Sequence, residues 1–514
     1  MLYNILNFIT YNRILNIKMI NINRRKFLLG TTSFSVLPQI GFSQLIKEKL
    51  PILPILDVTE GINEKIKLDL ISSNHDFGTG TASSTLGINS SHLGPVLRVK
   101  QGQTLPFEIT NYLDEVSTLH WHGLHIPGDM DGGPHQEIEP NYKWSPTLRL
   151  TQQASMNWFH SHAHGRTAKQ VYNGLVGVML LEDDASLSAD LPMKYGIDDF
   201  TLILQDKTFN NSGVLKYELN ETTIEDGFFG ENLVINGIIS PVIQQVPEGL
   251  VRLRILNACN ANFLTLSMQK GPLNIIASDG GFLNSTVKTE EIVMSPGERY
   301  EILVDMKKFD INQLLVKYEL PELKGLKGLK RELLYDGERK IVVLELFRSN
   351  ETGFMGSLPN NLGNVSPPNR NEALNTRSFM LQQNTGVNLK NLANLSDGIC
   401  GDLNAMMING KSMDMTHINE NVKKGDTEIW RISVDDWRHP FHIHGCSFKI
   451  LQQEEKEPES YASGWKDIVH VDGEKWSEVI VKFNHEASKE HPYMYHCHIL
   501  EHEDCGMMGQ FTVS

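Results

Sequence analysis

The sequence predicts an all-β protein built from β-sandwich domains, and three observations support that fold class. Short apolar or β-branched runs recur along the chain, for example at residues 96–99, 251–255 and 341–346. Turn-forming residues interrupt these runs at the spacing that is typical of sandwiches. Stretches with long helical periodicity are scarce.

Size and composition are those of a multidomain globular protein. The chain has 514 residues, which suggests about three domains. Apolar residues make up 40% and charged residues 21%, which is enough apolar sequence for sizeable cores. The formal net charge of −15 disfavours nucleic acid as a partner and is compatible with attracting cations.

Changes in composition predict the domain boundaries. Residues 183–195 resemble a connector, and residues 349–375 are rich in Asn, Pro, Gly and Ser, as linkers are. We therefore predict a first domain over 44–185, a second over 196–348 and a third over 376–514. The second domain contains no histidine. This suggests that the outer two domains build the chemistry and that the middle one supports or shapes it.

The first 43 residues are typical of an export signal. Arg24 and Arg25 form a twin arginine before a modest apolar stretch, and the small residues Gly41 and Ser43 suggest cleavage after Ser43. The stretch is too short to span a bilayer, and an ordinary amphipathic helix is the alternative. We expect export by the twin-arginine pathway, to the periplasm if the cell is Gram-negative.

Eight histidines form four His-x-His pairs. On a β-strand, residues i and i+2 point to the same face, so each pair aims two imidazoles in one direction. A single pair would mean little, but eight imidazoles exceed the needs of any one ion and indicate a metal cluster. Neutral imidazole suits copper, zinc and iron. The pairs are His120 and His122, His160 and His162, His442 and His444, and His496 and His498.

The fourth pair encloses a cysteine. Cys497 lies between the two histidines, so its side chain points to the opposite face of the strand. His502 and Met507 follow it, and His439 precedes the third pair. A thiolate, two imidazoles and a weak thioether form the ligand set of a blue-copper electron-transfer site. Structural zinc, which needs four ligands, does not explain this arrangement.

Eight segments of the chain match motifs of one enzyme family. They are WFHSHAHGRTAKQVYNGLVGVMLLEDD (158–184), LQDKTFN (204–210), LRILNACNA (253–261), ASDGG (277–281), HPFHIHG (439–445), SGWKDIV (463–469), SEVIVKFNH (477–485) and HCHILEHEDCGMM (496–508). In these segments the sequence resembles the multicopper oxidases, and within them the bacterial copper efflux oxidases. The resemblance implies three cupredoxin domains, which are Greek-key β-sandwiches, with a trinuclear copper cluster between the first and the third.

The resemblance also implies four copper ions, and every ligand position of the family is filled. The type 1 copper ligands would be His439, Cys497, His502 and Met507. The type 2 copper ligands would be His120 and His442. The ligands of one type 3 copper would be His122, His160 and His498. The ligands of the other type 3 copper would be His162, His444 and His496.

The chemistry that the resemblance implies begins at type 1 copper, where Cys497 receives electrons. Four one-electron oxidations of a reductant would be coupled to the reduction of dioxygen to water. The reductant would be cuprous ion, phenols or aromatic amines, with a role in copper tolerance. Asp131 and Glu503 match family carboxylates that handle the protons. Burial and nearby cations would both act on the pKa of these two carboxyls.

The electron-entry side departs from the copper efflux oxidases. Those enzymes usually carry a methionine-rich insert, but residues 376–400 contain one methionine, Met380. Asp435 matches a family substrate-copper position, whereas Trp437 stands where the family has methionine. We therefore expect a type 1 site that is more open to bulky phenols or aromatic amines, with Trp437 able to stack on them.

Two of the five cysteines adjoin the type 1 ligand segments. Cys446 and Cys505 stand where relatives commonly have threonine. They could pair as a disulfide or remain free as small core residues, and a Cα separation above about 7 Å excludes the bridge. An odd number of cysteines leaves at least one thiol unpaired, and Cys497 is the natural candidate.

Two other functions use the same fold. A copper-binding or assembly protein would hold copper without turnover, and a copper nitrite reductase would not need all four His-x-His pairs. Blue colour from the thiolate–copper bond, together with oxygen consumption, separates an oxidase from a binding protein. We expect a monomer without a membrane span.

Overall fold

Six β-sheets pack two by two into three sandwiches, which confirms the all-β fold class. Glu48–Ser514 form one compact unit. The predicted export signal, residues 1–43, lies outside the described residues. The structure is a computed structural model and describes residues 47–319, 338–389, 404–435, 437–473 and 475–514.

The first sandwich has ten strands. They are β1 (Ile55–Asp57), β2 (Ile66–His75), β3 (Ser83–Ile88), β4 (Val96–Lys100), β5 (Thr104–Asn111), β6 (His120–His122), β7 (Lys143–Trp144), β8 (Thr147–Arg149), β9 (Ser155–His160) and β10 (Val176–Glu182). One sheet has the order β1-β4-β10-β9-β6, and the other has the order β3-β2-β5-β7, with β8 beside β5. Residues of both sheets share one core, which includes Phe107 and Phe159.

The second sandwich follows with thirteen strands. They are β11 (Asp199–Phe209), β12 (Leu215–Lys216), β13 (Asn232–Ile235), β14 (Ile238–Ile239), β15 (Val242–Glu248), β16 (Leu250–Asn257), β17 (Leu264–Met268), β18 (Leu273–Ser278), β19 (Gly281–Thr289), β20 (Glu291–Met294), β21 (Arg299–Asp305), β22 (Ile311–Glu319) and β23 (Glu338–Thr352). One sheet has the order β14-β13-β11-β16-β21-β18-β19, with β12 beside β11. The other has the order β15-β23-β22-β17-β20.

The third sandwich has ten strands. They are β24 (Asn375–Gln383), β25 (Met406–Ile408), β26 (Glu420–Val422), β27 (Thr427–Val434), β28 (His439–Ile443), β29 (Phe448–Gln452), β30 (Ile468–Val471), β31 (Trp476–Lys482), β32 (Tyr493–Cys497) and β33 (Met508–Val513). Its sheets have the orders β25-β24-β27-β31-β29 and β26-β33-β32-β28-β30.

Strand β10 shows how the first two sandwiches are joined. All seven of its residues are buried. Met179 and Leu181 point into the core of the first sandwich. Val178 and Leu180 point the other way and pack with Ile203 of the second sandwich. A strand that is covered on both faces has a continuous apolar run rather than an alternating one, as the sequence of β10 does.

Helices are few and short in the described part of the chain. They are α1 (Thr167–Asn173), α2 (Asp184–Ser188), α3 (Glu221–Glu225) and α4 (Leu500–Asp504), with 3₁₀ turns at Gly128–Met130, Arg370–Glu372 and Ser460–Ala462. Among the described residues, no helix has the length and apolar character needed to cross a bilayer.

Candidate metal centre

Strand register brings the four histidine pairs together. β6 runs antiparallel to β9, with His120 opposite His160, and β28 runs antiparallel to β32, with His442 opposite His496. The second histidine of three pairs lies just beyond a strand end. Because the side-chain period of a strand is two, each pair turns both imidazoles toward the junction of the first and third sandwiches.

Three imidazoles form the tightest group, His162, His444 and His496. The Nε2 atom of His496 lies 3.3 Å from Nε2 of His162 and 3.1 Å from Nε2 of His444. The Nδ1 atoms of His444 and His496 donate to oxygen acceptors, so their Nε2 atoms carry lone pairs. Lone pairs that face one another at this distance repel, and a shared cation relieves the repulsion.

The other five imidazoles of the pairs each hold a buried ring nitrogen without a hydrogen-bond partner. An unpaired buried polar atom is costly, and a bound ion explains why such atoms gather here. Copper fits this donor set because neutral imidazole is one of its preferred ligands. The atoms are Nε2 of His120, His160, His442 and His498 and Nδ1 of His122.

The predicted division of these histidines among three ions is compatible with their spacing. The ring centroids of His120 and His442, the predicted type 2 pair, are 6.1 Å apart. Those of His122, His160 and His498 are 5.2 to 5.9 Å apart. Nitrogen atoms of His120 also lie within 4.8 Å of nitrogen atoms of histidines that are predicted to bind the type 3 coppers. The assignment of each histidine to one ion therefore stays a prediction.

Burial keeps most of these rings neutral, which is the form that binds metal. Burial lowers the pKa of His439 to about 4 and that of His498 to about 3. The same cause lowers the pKa of His122, His160, His162, His442, His444 and His502.

Asp131 contacts two of the imidazoles. Its Oδ2 atom accepts a hydrogen bond from Nδ1 of His444 at 2.7 Å, and its main-chain carbonyl accepts one from Nδ1 of His120 at 2.9 Å. The chain can turn here because the next residue is Gly132, at φ +76°, where a Cβ would lie 1.9 Å from the carbonyl oxygen of Leu119. The Asp-Gly sequence thus places a carboxylate behind the predicted metal ligands.

Glu503, like Asp131, contacts the Nδ1 atoms of imidazoles in the histidine cluster. Its Oε1 lies 3.2 Å from Nδ1 of His162, and its Oε2 lies 3.1 Å from Nδ1 of His496. The carboxylate is buried. Both predicted proton-handling carboxylates therefore touch the imidazoles on the side away from the metal-facing nitrogens.

The predicted type 1 ligands also meet. Donor atoms of His439, Cys497 and His502 lie within 4.8 Å of one another, and all three side chains are buried. The Nε2 atom of His502 donates to the carbonyl of Glu225 in α3 at 3.1 Å, which leaves Nδ1 3.8 Å from Sγ of Cys497. The main-chain carbonyl of Met507 accepts from the amide of Cys497 at 3.1 Å. Met507 is buried as well.

The imidazoles on the predicted electron-entry side are covered. His439 is 1% exposed and His502 is 0% exposed, so the imidazoles are not open to solvent. The Trp437 ring lies 5.9 Å from that of His439 and 6.2 Å from that of Phe229, which precedes β13. Trp437 and the second sandwich therefore cover the imidazoles, and the expected easier access of bulky reductants than in the copper efflux oxidases stays a prediction. Asp435 is exposed.

Of the two alternatives for Cys446 and Cys505, the structure excludes a disulfide between them. Cys446 is a free, buried thiol, whereas Cys505 is disulfide-bonded. The Sγ atom of Cys446 points toward the carbonyl oxygen of Ile443, 4.0 Å away. Cys497 keeps its thiol, as expected of a metal ligand.

Asp467 is a site residue that the sequence did not reveal. Its Oδ1 lies 3.1 Å from Nε2 of His122, and its main-chain carbonyl accepts from Nδ1 of His442 at 2.8 Å. It belongs to the SGWKDIV segment, but no spacing rule connects it to His122, which lies 345 residues earlier. Only the folded structure shows that this buried carboxylate lies next to the histidine cluster.

Helix α4 carries His502 and Glu503 and is anchored by its other two acids. Asp504 accepts from the amides of Thr167 and Ala168 at the start of α1, both at 2.9 Å. Glu501 accepts from Nδ2 of Asn260 at 2.7 Å. The first two sandwiches therefore both hold this helix in place.

Replacing Asp504 with alanine should lower the free energy of unfolding by about 1–3 kcal/mol, because two buried amides lose their acceptors. Urea unfolding followed by tryptophan fluorescence measures this loss. The matched control is Asp184→Ala, since the Asp184 side chain is 93% exposed. That change should stay within about 0.5 kcal/mol, and an equal effect of the two variants would contradict the anchoring role.

Comparisons with known proteins agree with this geometry. Three multicopper oxidase family models match residues 71–186, 180–317 and 378–514. The chain is 34% identical over 445 residues to the multicopper oxidase mco of Staphylococcus epidermidis, covering 85% of this chain and 86% of that protein. It is 32% identical over 472 residues to the cell division protein FtsP of Escherichia coli, covering 91% and 93%.

A solved structure is similar as well. It is the laccase-like multicopper oxidase CueO from the lignin-degrading bacterium Ochrobactrum sp., described as having oxidase activity towards lignin model compounds and lignosulfonate. The TM-score is 0.81 at 37% identity, and the match covers 90% of this chain and all of that one.

Proposed function

This chain belongs to the multicopper oxidase family, and we propose that it couples four one-electron oxidations of a reductant to the reduction of one dioxygen to two waters. It is a copper-dependent oxidoreductase. The observation that carries the proposal is the run His496-Cys497-His498. Its thiol lies at the mononuclear ligand group, and its two imidazoles lie at the histidine cluster.

We propose four copper ions, one of type 1, one of type 2 and two of type 3, held by the residues assigned above. Bound copper supplies the one-electron steps and the binding of dioxygen. The chain supplies the path between the sites: the backbone that flanks Cys497 joins them without a diffusing carrier. It also excludes water, since the ligand side chains are 0–1% exposed.

Asp131 and Glu503 are proposed to hold and deliver the protons that oxygen reduction consumes. Asp131 reaches the cluster through His444, and Glu503 reaches it through His162 and His496. Among the residues that contact these imidazole Nδ1 atoms, the two carboxyls are the groups able to exchange a proton.

The reductant is proposed to be cuprous ion, phenols or aromatic amines. Because His439 and His502 are buried, an organic reductant would deliver its electron from outside the Trp437 ring. Asp435 lies two residues before Trp437, and its exposed carboxylate can attract a cation. The similarity to an oxidase described as active on lignin model compounds supports the phenol proposal.

Replacing Trp437 with methionine tests the substrate side. Loss of an aromatic stacking surface worth about 0.5–1.5 kcal/mol should lower kcat/KM for a bulky phenol about 2- to 10-fold. A thioether favours Cu(I), so cuprous-ion oxidation should rise or stay unchanged. The matched control is Trp476→Met, because Trp476 is also half-buried but lies on β31 beside Arg431. Equal losses in both variants, or unchanged phenol oxidation in Trp437→Met, would refute this role.

Export to the periplasm by the twin-arginine pathway, action as a monomer and a role in copper tolerance are also proposed. The export proposal rests on Arg24 and Arg25. Lysine at both positions should keep the protein inside the cell, which fractionation and immunoblotting would detect.

A gene deletion that leaves growth in copper unchanged would argue against the tolerance role.

A copper-binding protein without turnover is the second candidate, and the similarity to a cell division protein favours it. Oxygen uptake by purified, copper-loaded protein, with cuprous ion and a phenol as alternative reductants, decides between the two. The oxidase proposal expects blue colour and oxygen consumption that depends on the reductant. Blue protein that consumes no oxygen with either reductant would support the binding protein instead.

A further inference from the structure

The turn between β20 and β21 brings the histidine-free second sandwich to the cluster. Gly297 in this turn has φ +85°, a conformation that favours glycine. A Cβ added there would lie 3.0 Å from Nε2 of His498 and 2.5 Å from Cδ1 of Ile468. The turn therefore packs directly against a predicted copper ligand.

Arg299 follows this turn and is fully buried. It forms a bidentate ion pair with Asp467, with Nη1 donating to Oδ1 at 2.7 Å and Nη2 donating to Oδ2 at 2.6 Å. Its Nε donates to the carbonyl of Met156 in β9 at 2.9 Å. Nη1 also donates to the carbonyl of Gly297, at 3.2 Å. One guanidinium thus contacts all three sandwiches.

Asp467, held by Arg299, contacts the imidazole of His122. A carboxylate paired with arginine can only accept hydrogen bonds, so Nε2 of His122, 3.1 Å from Oδ1, carries the proton. The Nδ1 atom of His122 then holds the lone pair, and it is buried without a partner. Partners of this kind fix the tautomer and the orientation of metal-binding histidines.

We propose that Arg299 is a positioning residue of the trinuclear copper site, so that the second sandwich takes part in building it. This inference rests on the proposed function, because it concerns the same cluster. Arg299 orients His122 through Asp467. Gly297 of the same turn packs against His498. A buried ion pair that only joined domains would leave the copper affinity of the cluster unchanged.

Arg299→Met tests this role, since methionine keeps an apolar stem but loses the charge and all five donors. The matched control is Arg252→Met. Arg252 is 2% exposed and pairs with Glu301 through Nε at 2.7 Å, in the same sheet. Both variants lose a buried arginine of the second sandwich, but only Arg299 reaches the cluster through Asp467.

Copper-loaded proteins are dialysed against increasing EDTA, with total copper measured by mass spectrometry and type 1 copper by blue absorbance. Arg299→Met should lose cluster copper at about 10- to 100-fold lower chelator concentration than wild type, the usual cost of removing an outer ligand partner. Its blue absorbance should be retained, and Arg252→Met should match wild type. Equal behaviour of the two variants would overturn the inference. A wild-type chain that binds no copper would instead refute the proposed function.

A second measurement needs no copper. Nitrogen-15 spectra of copper-free, histidine-labelled protein distinguish the two imidazole tautomers, with the His122 signal assigned from a His122→Gln sample. Wild type should show the Nε2–H form, and Arg299→Met should show a mixture. If Arg299→Met does not fold, Arg299→Lys replaces it, because one ammonium cannot bridge both carboxylate oxygens. An unchanged tautomer and unchanged copper retention in the variant that folds would overturn the proposal.

Discussion

Cys497→Ser should abolish both the blue absorbance and the reductant-dependent oxygen uptake. A serine hydroxyl stays protonated and is a hard ligand, whereas the thiolate is soft and keeps both copper oxidation states accessible. The Cys497 thiol lies within 4.8 Å of the donor atoms of His439 and His502, so serine at this position removes the thiolate from the ligand group. Copper in the histidine cluster should remain, since the backbone of the strand is unaltered.

The control for this variant is Cys446→Ser. Cys446 is also a free, buried thiol, and it lies two residues after His444. It should keep the blue absorbance, because its Sγ points toward Ile443 and not into either ligand group. Visible spectra and total copper on both variants provide the measurement. A blue Cys497→Ser protein, or a colourless Cys446→Ser protein, would be incompatible with the proposed type 1 site.

Glu503→Gln should lower kcat for oxygen reduction about 10²- to 10⁴-fold, the range of a lost acid–base group. The amide keeps the size of the side chain but cannot exchange the proton, and the carboxylate oxygens lie 3.1 and 3.2 Å from two imidazoles. KM for the reductant should not change, because electrons are proposed to enter at the type 1 copper site. The solvent deuterium isotope effect on kcat should also change in this variant.

Glu501→Gln serves as the matched control. Glu501 is buried in the same helix, but it bonds to Asn260 and Tyr217, not to an imidazole. Steady-state oxygen uptake and total copper are measured on both variants. Similar losses of kcat would mean that the helix matters only for packing, and the proton role of Glu503 would be abandoned.

The family resemblance was recognisable from local sequence because its signals are short-range. A His-x-His pair places two imidazoles on one face through strand geometry alone. The run from His496 to Met507 therefore holds most of one ligand set within twelve positions of the chain. The alternating apolar runs predicted the β-sandwiches for the same reason, since both depend on a period of two residues.

The tertiary structure alone decided which distant groups meet at the site. Asp467 meets His122 across 345 positions, and Arg299 meets Asp467 across 168. It also decided the exposure of the type 1 imidazoles, because Trp437 and the second sandwich cover His439 and His502. The sequence by itself determined the residue types of the predicted copper ligands and their strand faces. Packing between sandwiches, which no local pattern encodes, determined what surrounds those ligands and how a reductant reaches them.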